Sequence, residues 1–333
     1  MNNITFISLN MLYFLFGVVL INTIQKEFFA QTDEKIRAIN SNNIFIPKDR
    51  EQLNTYLEKL CKENIIPNYI FILPQSDILV SKKSLWDLVR SRHYNNITYL
   101  YNFFLRSYIL DNYLDRQLLE ERIYKKHKKY PIQFILSNSK NKMTLFTLKT
   151  HYDFFDLLIC YNEGKYNIIQ EIGDNIFKYE NNILMLEVYV LVTKKEGEIK
   201  VYMYNYEKYQ TFDITNMKFE KAEGMLSLLL QPSLKKQYRK IIRQLKFKLK
   251  FLIDLIKDLF LQKNRLDNSV MFELFSVMFL LDSNFNIYFF QLSRKINMLD
   301  KKELKLYAEM MFQTYNLVRG DTNLENSKFL QVS

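Results

Sequence analysis

Glycine occurs only six times and proline five times in 333 residues. Loops that cradle phosphate are built from glycine, because the backbone must come close to the anion. So little glycine leaves almost no material for one. The two cysteines, Cys61 and Cys160, lie far apart without metal or redox spacing. That excludes a disulfide framework and favours a reducing compartment. The histidines, His93, His127 and His151, are scattered, which sets aside a histidine-based metal centre. There is no zinc knuckle, glycine-rich RNP box or GXXG loop, so nucleic acid is not an expected partner.

What is present is apolar and basic. Hydrophobic residues make up 48% of the chain and aromatics 15%, enough for two or three packed subdomains. The net charge of +11 favours anionic partners such as acidic protein surfaces or anionic lipid. Residues 4–24, "ITFISLNMLYFLFGVVLINTI", carry no charge. At about 1.5 Å per residue they are long enough to cross a hydrocarbon core roughly 30 Å thick. Three readings compete: a membrane anchor, a cleaved signal peptide, or a buried element of the fold. The signal peptide lacks a basic residue ahead of the apolar run.

Periodicity predicts helices over 48–63, 83–94, 112–129 and 233–264, and strands over 68–74, 103–110, 131–137 and 142–148. It also predicts a hairpin over 184–193 and 198–205, and a second within 271–295. Strands and helices alternating with antiparallel hairpins give an α+β fold, with mixed or antiparallel sheets flanked by helices. The tail after Arg319 is polar and expected to be loose.

Several stretches, in order, resemble the tubulin-tyrosine ligase-like family, which has the ATP-grasp fold. "KKSLWDLVRSRHYNNITYLYNFFLRSYIL" is similar to the family's lysine-started helix and the N-F-x-P-R-T-Y-x-L-P strand after it. "YPIQFILSNSKNKMTLF" stands where the family has W-I-x-K-P and a glycine-rich loop. "NIIQEI" resembles the hinge V-V-Q-K-Y-I, and "LMLEVYVLVTKKEGEIKVYMYN" resembles F-D-L-R-V-Y-V-L-V-T…V-Y-L-Y. "MFELFSVMFLLDSNFNIYFFQLSRK" looks like F-E-L-x-G-x-D…W-L-L-E-V-N. The resemblance covers roughly 65–318. It implies a central ATP-grasp-like subdomain over 127–183 and a C-terminal one over 184–320. An N-terminal α/β subdomain (31–126), the apolar segment (1–30) and a polar tail (321–333) complete the expected layout.

In the family, an Asp, a Glu and an Asn on the last hairpin hold magnesium against ATP, because this hard cation takes oxygen ligands. The resemblance puts Met278, Gln291 and Ser293 at those positions, so a soft thioether and two neutral groups replace the set. Leu136 aligns with the strand lysine that meets the phosphates. Glu187 reverses the charge of the D-L-R arginine, and Met185 replaces its aspartate. Gln170 matches the hinge and would meet nucleotide only if nucleotide binds. Glu273 lies on the wrong strand face, and Asp282 is four residues beyond Met278. The resemblance with these changes implies a catalytically inactive member acting as a binding or structural subunit, with no metal and no cofactor. The alternative is an active ATP- and magnesium-dependent amino-acid ligase, adding tyrosine or glutamate to tubulin or another protein.

The helix predicted over 233–264 carries Lys235, Lys236, Arg239, Lys240, Arg243, Lys246, Lys248 and Lys250, with no acid before Asp254. It reads as a docking surface for an acidic protein or anionic lipid, or as a solvated face. The expected partners are proteins with an acidic surface, tubulin or a membrane complex among them. The expected location is a membrane in a reducing compartment, mitochondrial or endomembrane, with a cytoplasmic, cytoskeletal site as the alternative.

Overall fold

Long alternating runs become long strands. The computed structural model describes residues 44–45, 69–70, 73, 75–93, 96–126, 131–138, 143–150, 152–162, 164–179, 182–213, 218–225, 235–261 and 269–294, and scattered positions from 306 to 332. The uncharged run at 4–24, with its three competing readings, and the predicted helix at 48–63 lie outside the described residues.

In chain order, β1 (Ile44–Phe45) and β2 (Tyr69–Ile70) precede α1 (Asp77–Val80), α2 (Lys82–Arg92), α3 (Ile97–Leu100), β3 (Ser107–Tyr108) and α4 (Tyr113–Lys126). Then come β4 (Ile132–Ser137), β5 (Met143–Leu148), α5 (Asp153–Asn162), β6 (Ile168–Ile172) and β7 (Lys178–Tyr179). The chain continues through β8 (Asn182–Lys195), β9 (Glu198–Asp213), β10 (Lys218–Met225), α6 (Lys235–Phe260), β11 (Val270–Leu281), β12 (Ile287–Ser293) and β13 (Phe329–Gln331). The result is a mixed α+β fold with two sheets.

The larger sheet has nine strands along β1-β2-β11-β8-β9-β10, with β12 beside β11, β13 beside β9 and β7 beside β8. Apart from the parallel pairs of β2 with β1 and β11, its ladders are antiparallel. The smaller sheet is wholly antiparallel, in the order β3-β6-β4-β5. Local chemistry sets the turns and caps. Glu196 and Gly197 both take positive φ, 50° and 81°, the two-residue turn whose twist matches the β8–β9 hairpin. Ser81 caps α2 by accepting the Ser84 N–H, and Asn112 caps α4 by accepting those of Leu114 and Asp115.

The large sheet is buried on both faces. One face, carrying Val188, Val190, Phe275, Val277 and Phe279, packs against α2 and the apolar side of α6, with Ile241, Leu245, Leu249, Ile256 and Phe260. The other face divides along its length. At one end Tyr189, Leu191, Phe272 and Leu274 pack against Met310 and Phe329. At the other end Met185, Met278 and Leu280 pack against Ile135 and Ile172 of the small sheet. The outer face of the small sheet, with Phe134, Leu136 and Ile169, is covered by α4 and α5 through Leu119, Ile123, Phe154 and Leu157.

β3 pairs with β6, and α4 covers the small sheet, so both belong with it although they precede residue 127. The polar tail is not loose at its end. β13 adds to β9, and Phe329 is buried against Tyr204 because its alternation with Leu330 turns it toward the core.

Candidate functional site

The two sheets face each other across a crevice, and Glu187, Met278, Gln291 and Ser293 gather on its large-sheet wall. Strand pairing aligns Glu187 on β8 with Met278 on β11, and Met278 with Gln291 on β12. Lys208 on β9 pairs with Glu187, which extends the row to four strands. Ser276 and Ser293 form the next rung. Side chains at paired positions share a face, so Met278, Gln291, Ser293 and Glu187 stand side by side. After Met278 the β11–β12 register skips Phe290, a bulge that turns this ring into the same crevice.

The crevice is filled. Met185, Met278, Leu280 and Phe290 of the large sheet form one buried cluster with Leu105, Ile135 and Ile172, and Met143 and Leu145 pack at its margin. Met278 is 4% exposed and Phe290 0%. A polyanion placed here would face thioether, aliphatic and aromatic carbon.

The charged groups beside this filling bond to one another. Glu187 takes a 2.6 Å hydrogen bond from the Gln210 amide and another from the Ser276 hydroxyl, and its carboxylate lies 3.8 Å from the Lys208 ammonium. All four residues are buried. The Glu187 carboxylate is thus offset by its cross-strand neighbour Lys208.

A second buried cation enters from α2. The Lys82 ammonium donates to Gln170 Oε1 at 3.1 Å and to Ser137 Oγ at 3.4 Å. It also lies 3.8 Å from Met143 Sδ and 3.7 Å from the centre of the Phe290 ring. Burial lowers its pKa from the usual lysine value to about 7. The Gln170 amide is bonded at both ends, since its Nε2 donates to Ser107 Oγ at 3.3 Å. Gln170 therefore holds Lys82 in place and does not present its amide to an open cleft.

Leu136 packs with α4 and α5 on the outer face of the small sheet. Alternation along β4 turns Ile135 inward, and the Ser137 hydroxyl meets Lys82, so no residue of "IQFILS" offers a cation there. Lys248, unlike the other described cations of α6, is 8% exposed, donates to the carbonyls of Asn102 and Ile287, and lies over the Phe103 and Tyr288 rings. Burial lowers its pKa to about 8.

The remaining acids near the hairpin are committed elsewhere. Glu273, on the opposite face of β11, is buried and receives Arg294 and the Leu73 N–H. Burial raises its pKa and Arg294 works against that rise. Asp282 accepts from the N–H groups of Asn284 and Asn286, the side chains of Asn175 and Asn286, and the Tyr288 hydroxyl, and so fixes the β11–β12 turn. Among the described residues, no three His, Cys, Asp or Glu side chains cluster to hold a metal.

On α6, Lys236, Arg239, Lys240, Arg243 and Lys250 are exposed and Lys246 is half-buried. Sequence reasoning missed Lys82, Lys208 and Gln210. Lys82 left one clue, a cation at the first position of a helix, where the macrodipole opposes it. Lys208 left none, because its pairing with Glu187 depends on a β-bulge between Val188 and Val190.

No protein-family model and no curated protein matches the chain.

Proposed function

We propose that this chain is a catalytically inactive relative of the tubulin-tyrosine ligase-like family, built on an ATP-grasp-like pair of sheets and acting as a binding or structural subunit. One observation carries the reading. The space between the sheets, where such a ligase would hold nucleotide, is occupied by Met185, Met278, Leu280 and Phe290 packed on Ile135 and Ile172. Acyl-phosphate chemistry needs cations and metal to offset triphosphate charge. Here the Lys82 cation is bonded to Gln170, and the Lys208 cation is paired with Glu187. The side chains that would meet ligand meet one another, which supports a role carried by the outer surface. On this reading the partners are acidic protein or membrane surfaces, and no cofactor takes part.

Thermal unfolding of the full chain tests the reading. A ligand that binds only the native state raises stability by RT ln(1 + [L]/Kd). Millimolar ATP with magnesium should leave Tm unchanged, and no ADP should form with amino acids and tubulin tails present. A saturable rise in Tm abolished by EDTA, or steady ADP release, would instead make the chain an active ligase.

A further inference from the structure

We propose that the exposed face of α6 docks on an anionic lipid surface, with Phe247 entering the boundary between headgroups and acyl chains. The apolar side of this helix is spent on the core, yet its outer side is not uniformly polar. Lys236, Arg239, Arg243 and Lys250 are exposed along it and Lys246 is half-exposed, while Phe247 stands among them at 59% exposure. Among the described residues no acid pairs with any of these five cations. The nearest acids on the helix, Asp254 and Asp258, are engaged by Lys257 and Arg92. Four of the five cations lie in the amino-terminal half of α6, whose first turn has no acid and carries the positive end of the helix dipole. An external anionic surface offsets both repulsions.

Phe247 decides between anionic partners. A solvated acidic peptide gives an exposed phenyl ring nothing to enter, whereas a bilayer interface takes aromatics at headgroup depth beside cations. The ring is also supported from behind. Phe247 lies 5.7 Å from Phe103, which stacks on Phe251 at 3.7 Å, and Tyr99, itself 39% exposed, lies 5.2 Å from Phe103. The cationic row therefore continues into an aromatic ledge shared by α3 and α6. The uncharged run at 4–24 gives the same chain a second membrane signal in its sequence, and two weak signals together make stable attachment. This partner deepens the binding-subunit reading but uses no part of the crevice, so nucleotide binding and lipid docking succeed or fail separately.

The test uses the full chain with Phe247→Trp. The chain's single natural tryptophan, Trp86, is buried and supplies a constant background. Vesicles of mixed phosphatidylserine and phosphatidylcholine with brominated acyl chains should shift the new tryptophan's emission to the blue and quench it. Concentrated salt should reverse both effects, since screening shortens the reach of surface charge. Reversing Arg239, Arg243 and Lys246 to Glu in the same background should weaken the response more than about tenfold. The neutral set Arg239→Gln, Arg243→Gln and Lys246→Gln should give a smaller loss, with helical circular dichroism unchanged. An equal response on pure phosphatidylcholine overturns the proposal. So does a response that survives the charge reversals, or a tryptophan silent on anionic vesicles while polyglutamate binds the chain.

Discussion

Lys82 brings an ammonium group into an apolar crevice with two neutral oxygen acceptors and an aromatic face. Its pKa is about 7 in the fold against 10.5 for an ordinary lysine, so between those values the unfolded chain binds the extra proton. Stability then rises with pH through that window, and the full cost of the buried cation persists below pH 7. Lys248, lowered to about 8, adds a second rise that starts later. Above pH about 10 half-buried Tyr101 and buried Tyr161, each pushed up to about 12, reverse the trend by staying protonated in the fold. Lys82→Met should stabilise the protein at pH 6 by about 1–2 kcal/mol and remove the part of the rise that begins near 7, as read by urea unfolding at pH 6 and 9. A loss of stability at pH 6 would mean that the cation is needed there. At Met278 the sign is opposite. Met278→Asp buries a carboxylate among Met185, Leu280 and Phe290 and should cost about 3 kcal/mol or more at neutral pH, less in acid where it protonates. Equal destabilisation at pH 4 and 7 would show that the site is wetter than described. The resemblance singles out Met278, Gln291 and Ser293, but it is the cross-strand register of β11 and β12 that puts them on one face, and alternation within a strand does not fix that register. Leu136 faces α4 and α5, and a one-residue slip of register would turn it to the other side of the sheet.

Elements with one strong period were legible: the hairpins β8–β9 and β11–β12, the strands β4 and β5, and helices α2, α4 and α6. Elements that rely on distant partners were not. β13 is three residues long and exists because β9 offers it an edge and Tyr204 offers Phe329 a ring at 5.1 Å. No local signal marks it within a polar tail. Phe329→Ala should therefore cost about 3–5 kcal/mol in chemical denaturation, the range for a buried aromatic, where a loose tail would give no change. Removing residues 327–333 should cost at least as much, because it also deletes the bond from Val332 N–H to the Val201 carbonyl. α5 escaped notice for a different reason. Its sequence, DFFDLLICYN, exposes Phe155 and Ile159 while burying Phe154, Leu157 and Tyr161, so its apolar pattern has no clean face.

At the scale of the whole molecule, sequence patterning announced antiparallel hairpins and layers but not how two sheets meet. The crevice is lined by β4 and β6 on one side and β8, β11 and β12 on the other, elements drawn from as far apart as Ile132 and Ser293. Its filling comes from residues that each look ordinary in their own strand. Met185, Met278 and Phe290 become informative only when they share one space with Ile135 and Ile172. Methyl NMR on chain labelled at methionine and isoleucine reads that space directly. The account predicts cross-relaxation from the Met185 or Met278 methyl to Ile135 or Ile172, with these signals unmoved by millimolar ATP and magnesium. Saturable shifts of the Met278 and Met185 methyls with loss of those contacts would show that the crevice opens for nucleotide, and would contradict it.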